Sequence, residues 1–279
     1  MVGKRVQKKR MRAPAVLALL AAVTVVLGTG GSRGVAADSP LQSPAEPVLE
    51  QQPESTAPET RAIPEETGDG TEISEEKPLF APVPESEPVE DTYFDDIAFL
   101  GDSRTEGFQM YSGLKTGTYY YSVGATVESV FSKPTQETEA GKVPMLDALA
   151  ELECGKVYIM LGANELGWPK SEAFHDQYGK VIDRVRADHP DAEVVIQSIL
   201  PVSAVQEAKG SYVNNSRIQV YNTILEELAL EKECPYLNVG EAVTGEDGCL
   251  RPELTTDGIH LNTAGCKEWL NYLKTHAVS

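Results

Sequence analysis

Residues 92–279 predict an α/β fold: a central parallel sheet of about five strands, with helices covering both of its faces. Two observations carry this expectation. Short apolar runs of strand length recur at Ile97–Leu100, Tyr119–Val123, Val157–Leu161, Val194–Ile199 and Tyr236–Val239. Helix-periodic stretches lie between them, so successive strands are joined by crossovers, which set neighbours parallel.

The elements follow in order. Ile97-Ala98-Phe99-Leu100 is apolar at every position, as a strand covered on both faces requires. Tyr119–Val123 supplies the second strand, and a helix over Asp147–Glu153 leads to the third at Val157–Leu161. A long helix over Ser171–Asp188 precedes the fourth strand, Val194–Ile199. The clearest helix is Asn214–Lys232, where Ile218, Tyr221, Ile224, Leu225 and Leu228 share one face. Tyr236–Val239 forms the fifth strand and Thr263–Lys274 the last helix. A domain of about 185 residues is large enough for a proper core.

The first 91 residues have a different character. Residues 1–37 carry seven basic and no acidic residues, six of the basic ones by Arg12. An uncharged stretch, Ala13 to Gly31, follows, and then Val35-Ala36-Ala37, a small-residue pattern suited to signal-peptidase cleavage. The stretch is also long enough to span a bilayer of about 30 Å, so residues 1–37 read as a signal peptide or a retained membrane anchor. Either way the basic flank predicts that the rest of the chain lies outside the cytoplasm, secreted or tethered. Residues 38–91 hold ten of the 18 prolines and fifteen acidic residues, and they read as a disordered spacer. Its reach is roughly 40 Å as a coil and about 165 Å when extended.

The formal net charge of the chain is -19, and residues 92–279 alone account for -13. Such a surface repels phosphate backbones, which argues against nucleic-acid binding. Cys154, Cys234, Cys249 and Cys266 show no C-x-x-C pairing and no histidine cluster, so no metal site is expected; up to two disulfides or free thiols remain open.

Three polar motifs follow strands or precede the last helix. Gly101-Asp102-Ser103-Arg104 follows the first strand and places Ser103 at a helix start, where amides and the helix dipole favour negative charge. Taken singly, Ser103 also suits a helix N-cap. Gly162-Ala163-Asn164 follows the third strand and offers an amide NH2 for an oxyanion, or a turn residue. Asp257-Gly258-Ile259-His260 spaces a carboxylate to reach an imidazole Nδ1, which leaves Nε2 to accept a proton; a surface pair would show the same string.

Together these blocks make the chain resemble the SGNH (GDSL-type) hydrolases, serine esterases on a flavodoxin-like three-layer α/β/α sandwich, over about Ile97 to Leu273. The resemblance implies Ser103 as nucleophile, Asp257 and His260 as the acid–base pair, and an oxyanion hole from Ser103, Gly124 (in Ser122-Val123-Gly124-Ala125) and Asn164. Arg104 departs from the leucine of the naming motif and is expected to affect the pocket entrance. Glu165 and Trp168, beside the third block, are further candidates for contact with an acyl group or sugar.

The function expected is an extracytoplasmic serine esterase cleaving small acyl esters, acetyl above all, on an acylated glycan, with no metal or organic cofactor. Two alternatives share the residues: an O-acyltransferase acting on cell-surface glycans, and a non-catalytic glycan-binding module.

Overall fold

The computed structural model describes residues 80–279. The signal-peptide or anchor reading and most of the spacer fall on residues 1–79, outside the described residues. No helix among the described residues is long and apolar enough to cross a membrane.

Among the described residues, besides three short 3-10 helices, seven strands and seven α-helices follow in chain order: β1 (Ile97–Gly101), α1 (Ser103–Tyr111), β2 (Thr118–Tyr121), α2 (Ser129–Ser132), β3 (Pro134–Thr138), β4 (Gly141–Pro144), α3 (Met145–Leu149), β5 (Lys156–Met160), α4 (Ser171–Asp188), β6 (Glu193–Gln197), α5 (Ala204–Glu207), α6 (Asn215–Glu231), β7 (Tyr236–Leu237) and α7 (Thr263–Thr275). The central sheet has the order β2-β1-β5-β6-β7 and every pair in it is parallel. The five expected strands and four expected helices all occur, with ends shifted by a few residues.

Side-chain alternation explains why those strands read as unbroken apolar runs. Ala98, Leu100, Val157, Ile159, Val194 and Ile196 point to one face, against α3, α4 and α6. Ile97, Phe99, Tyr158, Met160 and Val195 point to the other, where Phe108 of α1 and Trp269 and Leu273 of α7 cover them. The result is a three-layer sandwich with a core on each side of the sheet. The register aligns Gly101 with Met160 and with Tyr121, so β1 ends level with both neighbours. The chain crosses from one side of β1 to the other at this point, and in such sheets ligands bind at the carboxyl ends beside it.

Two features differ from the expectation. The polar segment 134–144 forms the antiparallel hairpin β3–β4, docked on the end of β2 by Gln136 Nε2, which donates to the Tyr121 carbonyl at 2.8 Å. Its strands have no apolar alternation to reveal them. Residues 80–91, assigned to the disordered spacer, instead pack on the domain. The Val83 N–H donates to the Tyr236 carbonyl at 2.9 Å and the Val89 N–H to the Lys274 carbonyl at 3.0 Å. Phe80 meets the Tyr236 ring edge-on at 5.4 Å, and Lys274 pairs with Asp91 at 2.6 Å. Proline keeps this strap extended, while the residues between prolines retain N–H groups that pair with the body. Composition averaged over the segment hid those few anchors.

Candidate active site

Ser103 opens α1, directly beyond β1. Gly101 is required there: a Cβ would lie 2.7 Å from the Met160 carbonyl and collide with Thr105 as well. Asp102 caps the helix, its Oδ1 accepting the Arg104 N–H at 2.8 Å. The cap therefore falls to Asp102, and Ser103 is free to project from the first turn.

His260 arrives from the loop before α7, and its Nε2 lies 2.9 Å from Ser103 Oγ. Its Nδ1 lies 2.7 Å from Asp257 Oδ2. Asp257 Oδ1 accepts the N–H groups of Ile259 at 2.9 Å and His260 at 2.8 Å. Gly258 makes this turn at φ +86, and Thr255 Oγ1 steadies it, accepting the Gly258 N–H and donating to the His260 carbonyl. Partial burial pushes the Asp257 carboxyl up, but the His260 N–H and ring, with the Ile259 N–H, outweigh it, and its pKa falls to about 2. The ring thus carries its proton on Nδ1, facing a carboxylate, and turns a lone pair at Nε2 towards the serine.

The three expected oxyanion donors come from the start of α1, the turn after β2 and the turn after β5. The N–H groups of Ser103 and Gly124 take no hydrogen-bond partner among the described residues. Gly124 sits at φ +73 in the turn after β2. Asn164 follows β5, and its Nδ2 donates to the Ala125 carbonyl at 2.8 Å and to Asp102 Oδ2 at 3.2 Å. No sequence pattern signals this second role for Asp102, which braces both the helix start and Asn164.

Arg104 and Glu165 differ from the expectation that they contact substrate. Arg104 is 5% exposed and Glu165 fully buried, so neither lines an entrance. Arg104 lies 4.0 Å from Asp102, and burial lowers its pKa against the pull of Asp102, Asp257 and Glu165. Burial raises the Asp102 pKa, opposed by Arg104 and its N–H. Burial also raises the Glu165 pKa, to about 7. Trp168 is half-buried and packs against the core beside α4. Cys154, Cys234, Cys249 and Cys266 are all free thiols. No group of three His, Cys, Asp or Glu side chains poised for a metal occurs among the described residues.

Residues 99–267 match the GDSL-like Lipase/Acylhydrolase family. The chain belongs to that family. It is accordingly a serine ester hydrolase, and the three-layer sandwich is the family's α/β fold. A structure from Streptococcus pneumonia that bears the name of platelet activating factor is similar at 27% identity and a TM-score of 0.52, over 67% of this chain and 83% of that one. A G-D-S-L family structure from Desulfitobacterium hafniense DCB-2 is similar in fold at 16% identity and a TM-score of 0.50, over 66% of this chain and 99% of that one. Among curated proteins no match is found.

Proposed function

We infer that this family member removes small acyl groups, acetyl foremost, from esters on carbohydrate outside the cytoplasm, with Ser103, His260 and Asp257 as its catalytic triad. The observation that carries the mechanism is the unbroken line of hydrogen bonds from Asp257 through His260 to Ser103, at 2.7 and 2.9 Å. In this reading His260 takes the Ser103 proton as Oγ attacks the ester carbonyl. The Ser103 and Gly124 N–H groups meet the oxyanion, and Asn164 joins them by releasing its longer bond to Asp102. His260 returns the proton to the departing alcohol, and water then repeats the cycle on the acyl-serine.

The openness of the site supports a short acyl group. The His260 and Asp257 side chains are 44% and 50% exposed, and Val123, beside Gly124, is 66% exposed. The cavity of about 730 Å³ between α6 and the ends of β6 and β7 is lined by other residues, such as Gln219, Asn238 and Glu241. A long acyl chain gains about 0.8 kcal/mol per buried CH2, and an open surface gives it nothing to be buried in. The same openness admits a bulky alcohol partner such as a polysaccharide. Export, by secretion or on a membrane tether, is supported by the basic and apolar N-terminus and the Pro-rich spacer.

Hydrolysis of p-nitrophenyl esters from acetate to octanoate, alongside acetate release from an acetylated polysaccharide, tests this reading. Acetate is expected to be the fastest ester, and Ser103→Ala to abolish turnover and fluorophosphonate labelling. A rate that climbs with chain length overturns the small-acyl assignment, and labelling that survives Ser103→Ala overturns the nucleophile. Protease accessibility of the domain on intact cells tests the location.

A further inference from the structure

We propose that Glu165 is a positioning residue for the oxyanion hole: its carboxyl group fastens the loop after β2 to the turn after β5 and so fixes Gly124 relative to Asn164. The proposal rests on the serine-hydrolase reading above and adds a residue to it. Two hydrogen bonds make the fastening. Asn164 Nδ2 donates to the Ala125 carbonyl at 2.8 Å, and the Val127 N–H donates to Glu165 Oε1 at 2.6 Å. Segments 125–127 and 164–165 are thereby held together at two successive points. One segment adjoins Gly124 and the other contains Asn164, so donors arriving from two different strands are kept in one geometry.

The turn is itself held from behind. The Tyr221 hydroxyl donates to the Glu165 carbonyl at 2.7 Å, and Arg217, also on α6, donates to the Leu166 carbonyl. Ala125 and Val127 are buried, and Val127 belongs to the core on the α4 and α6 side. The loop therefore has a firm floor, and Glu165 joins it to a turn with a firm wall. An apolar residue at 165 would leave the Val127 N–H buried without a partner, and the loop would have to move to satisfy it.

A charge at Glu165 has further consequences. Its Oε2 is buried without a hydrogen-bond partner, as are Arg104 Nε and Nη2. The groups facing it are Asp102 and Arg104 from the start of α1, Tyr178 from α4, and Tyr221 from α6. Ionising Glu165 would add a negative charge to a buried cluster that already holds the Asp102 carboxyl, behind the turn that carries Asn164, and such a charge opposes an oxyanion. The neutral carboxyl is thus the competent form.

The test uses the full chain and p-nitrophenyl acetate, and compares Glu165→Ala, Glu165→Gln and wild type. Displaced donors are expected to cost Glu165→Ala roughly 10- to 100-fold in kcat, with KM changed less than about threefold. Glu165→Gln keeps an oxygen for the Val127 N–H and is expected to recover most of that loss. The ratio of its kcat to that of wild type should rise from pH 6 to pH 8.5, because only the wild type gains the charge. Equal kcat in Glu165→Ala and wild type overturns the proposal. So does an Ala loss that glutamine fails to recover although both variants melt as wild type does. If Glu165→Ala does not fold, a Glu165→Gln kcat below a tenth of wild type at pH 6, with an unchanged melt, overturns it. Failure of the underlying reading is a separate result: wild type itself neither turns over ester nor labels at Ser103.

Discussion

Replacing Asp257 by Asn separates the charge of the proposed relay from its hydrogen-bond direction. Asp257 Oδ1 accepts two backbone N–H groups, from Ile259 and His260, at 2.9 and 2.8 Å. Those groups can only donate, so an asparagine must leave its carbonyl oxygen on them. Its NH2 then faces the ring nitrogen that now lies 2.7 Å from Oδ2. A donor at that position makes Nδ1 the acceptor and moves the ring proton to Nε2, the atom 2.9 Å from Ser103 Oγ. The serine then meets a second donor, and its proton has no base to go to. The same substitution in the buried triad of a trypsin-like protease lowers kcat by about 10⁴. Here the two side chains are about half exposed, so water relieves part of the penalty, and the expected loss is about 10²–10³. The carboxyl already titrates at about 2, so the wild type stays ionised throughout the assay range and the loss should persist from pH 6 to pH 8. The two backbone bonds survive, so the melting temperature should move little. The assay is kcat for p-nitrophenyl acetate across that range, with a thermal melt of each protein. An Asn variant that keeps more than a third of wild-type kcat, with an unchanged melt, would refute the relay.

Other measurements probe the scaffold. Gly101→Ala puts a Cβ 2.7 Å from the Met160 carbonyl and into Thr105, and is expected to cost about 1–3 kcal/mol in a denaturant melt. Gly107→Ala, inside α1 with nothing within 4 Å of its Cβ, should instead stabilise by about 0.5–1 kcal/mol. Glu165 binds its proton more tightly in the folded state, so its contribution to stability is lost as pH rises from the unfolded value of 4.5 towards about 7, by about 3 kcal/mol. Melting temperatures of wild type should therefore fall relative to Glu165→Gln over that interval, and parallel curves would contradict the raised value. A chain starting at residue 92 loses the packing of Phe80, Val83 and Val89, worth about 2–3 kcal/mol. It should melt about 5–10 °C below a chain starting at residue 80.

The sheet was legible because burial on both faces writes itself into consecutive residues: Ile97–Leu100 and Val194–Ile196 have no polar position to confuse the reading. The blocks around Ser103, Asn164 and Asp257–His260 were legible because they follow strand ends or precede a helix, where topology gathers them. The hairpin 134–144 and the strap 80–91 were not, since each is held by backbone bonds and by one or a few side chains in otherwise polar sequence. Arg104 and Glu165 show a different limit. Adjacency to a catalytic residue in sequence suggests adjacency to substrate, yet neighbouring residues on a helix point about 100° apart. Arg104 instead turns into the protein, 4.0 Å from the buried Asp102 and within the field of the buried Glu165. One basic and two acidic groups taken out of water next to the proposed oxyanion site are costly to bury and leave three polar atoms unpartnered. A packed apolar core would hold the loops with less expense. What the polar cluster adds is direction, because an N–H bonded to a carboxyl oxygen has one position, and in the role proposed for Glu165 that position places the oxyanion donors.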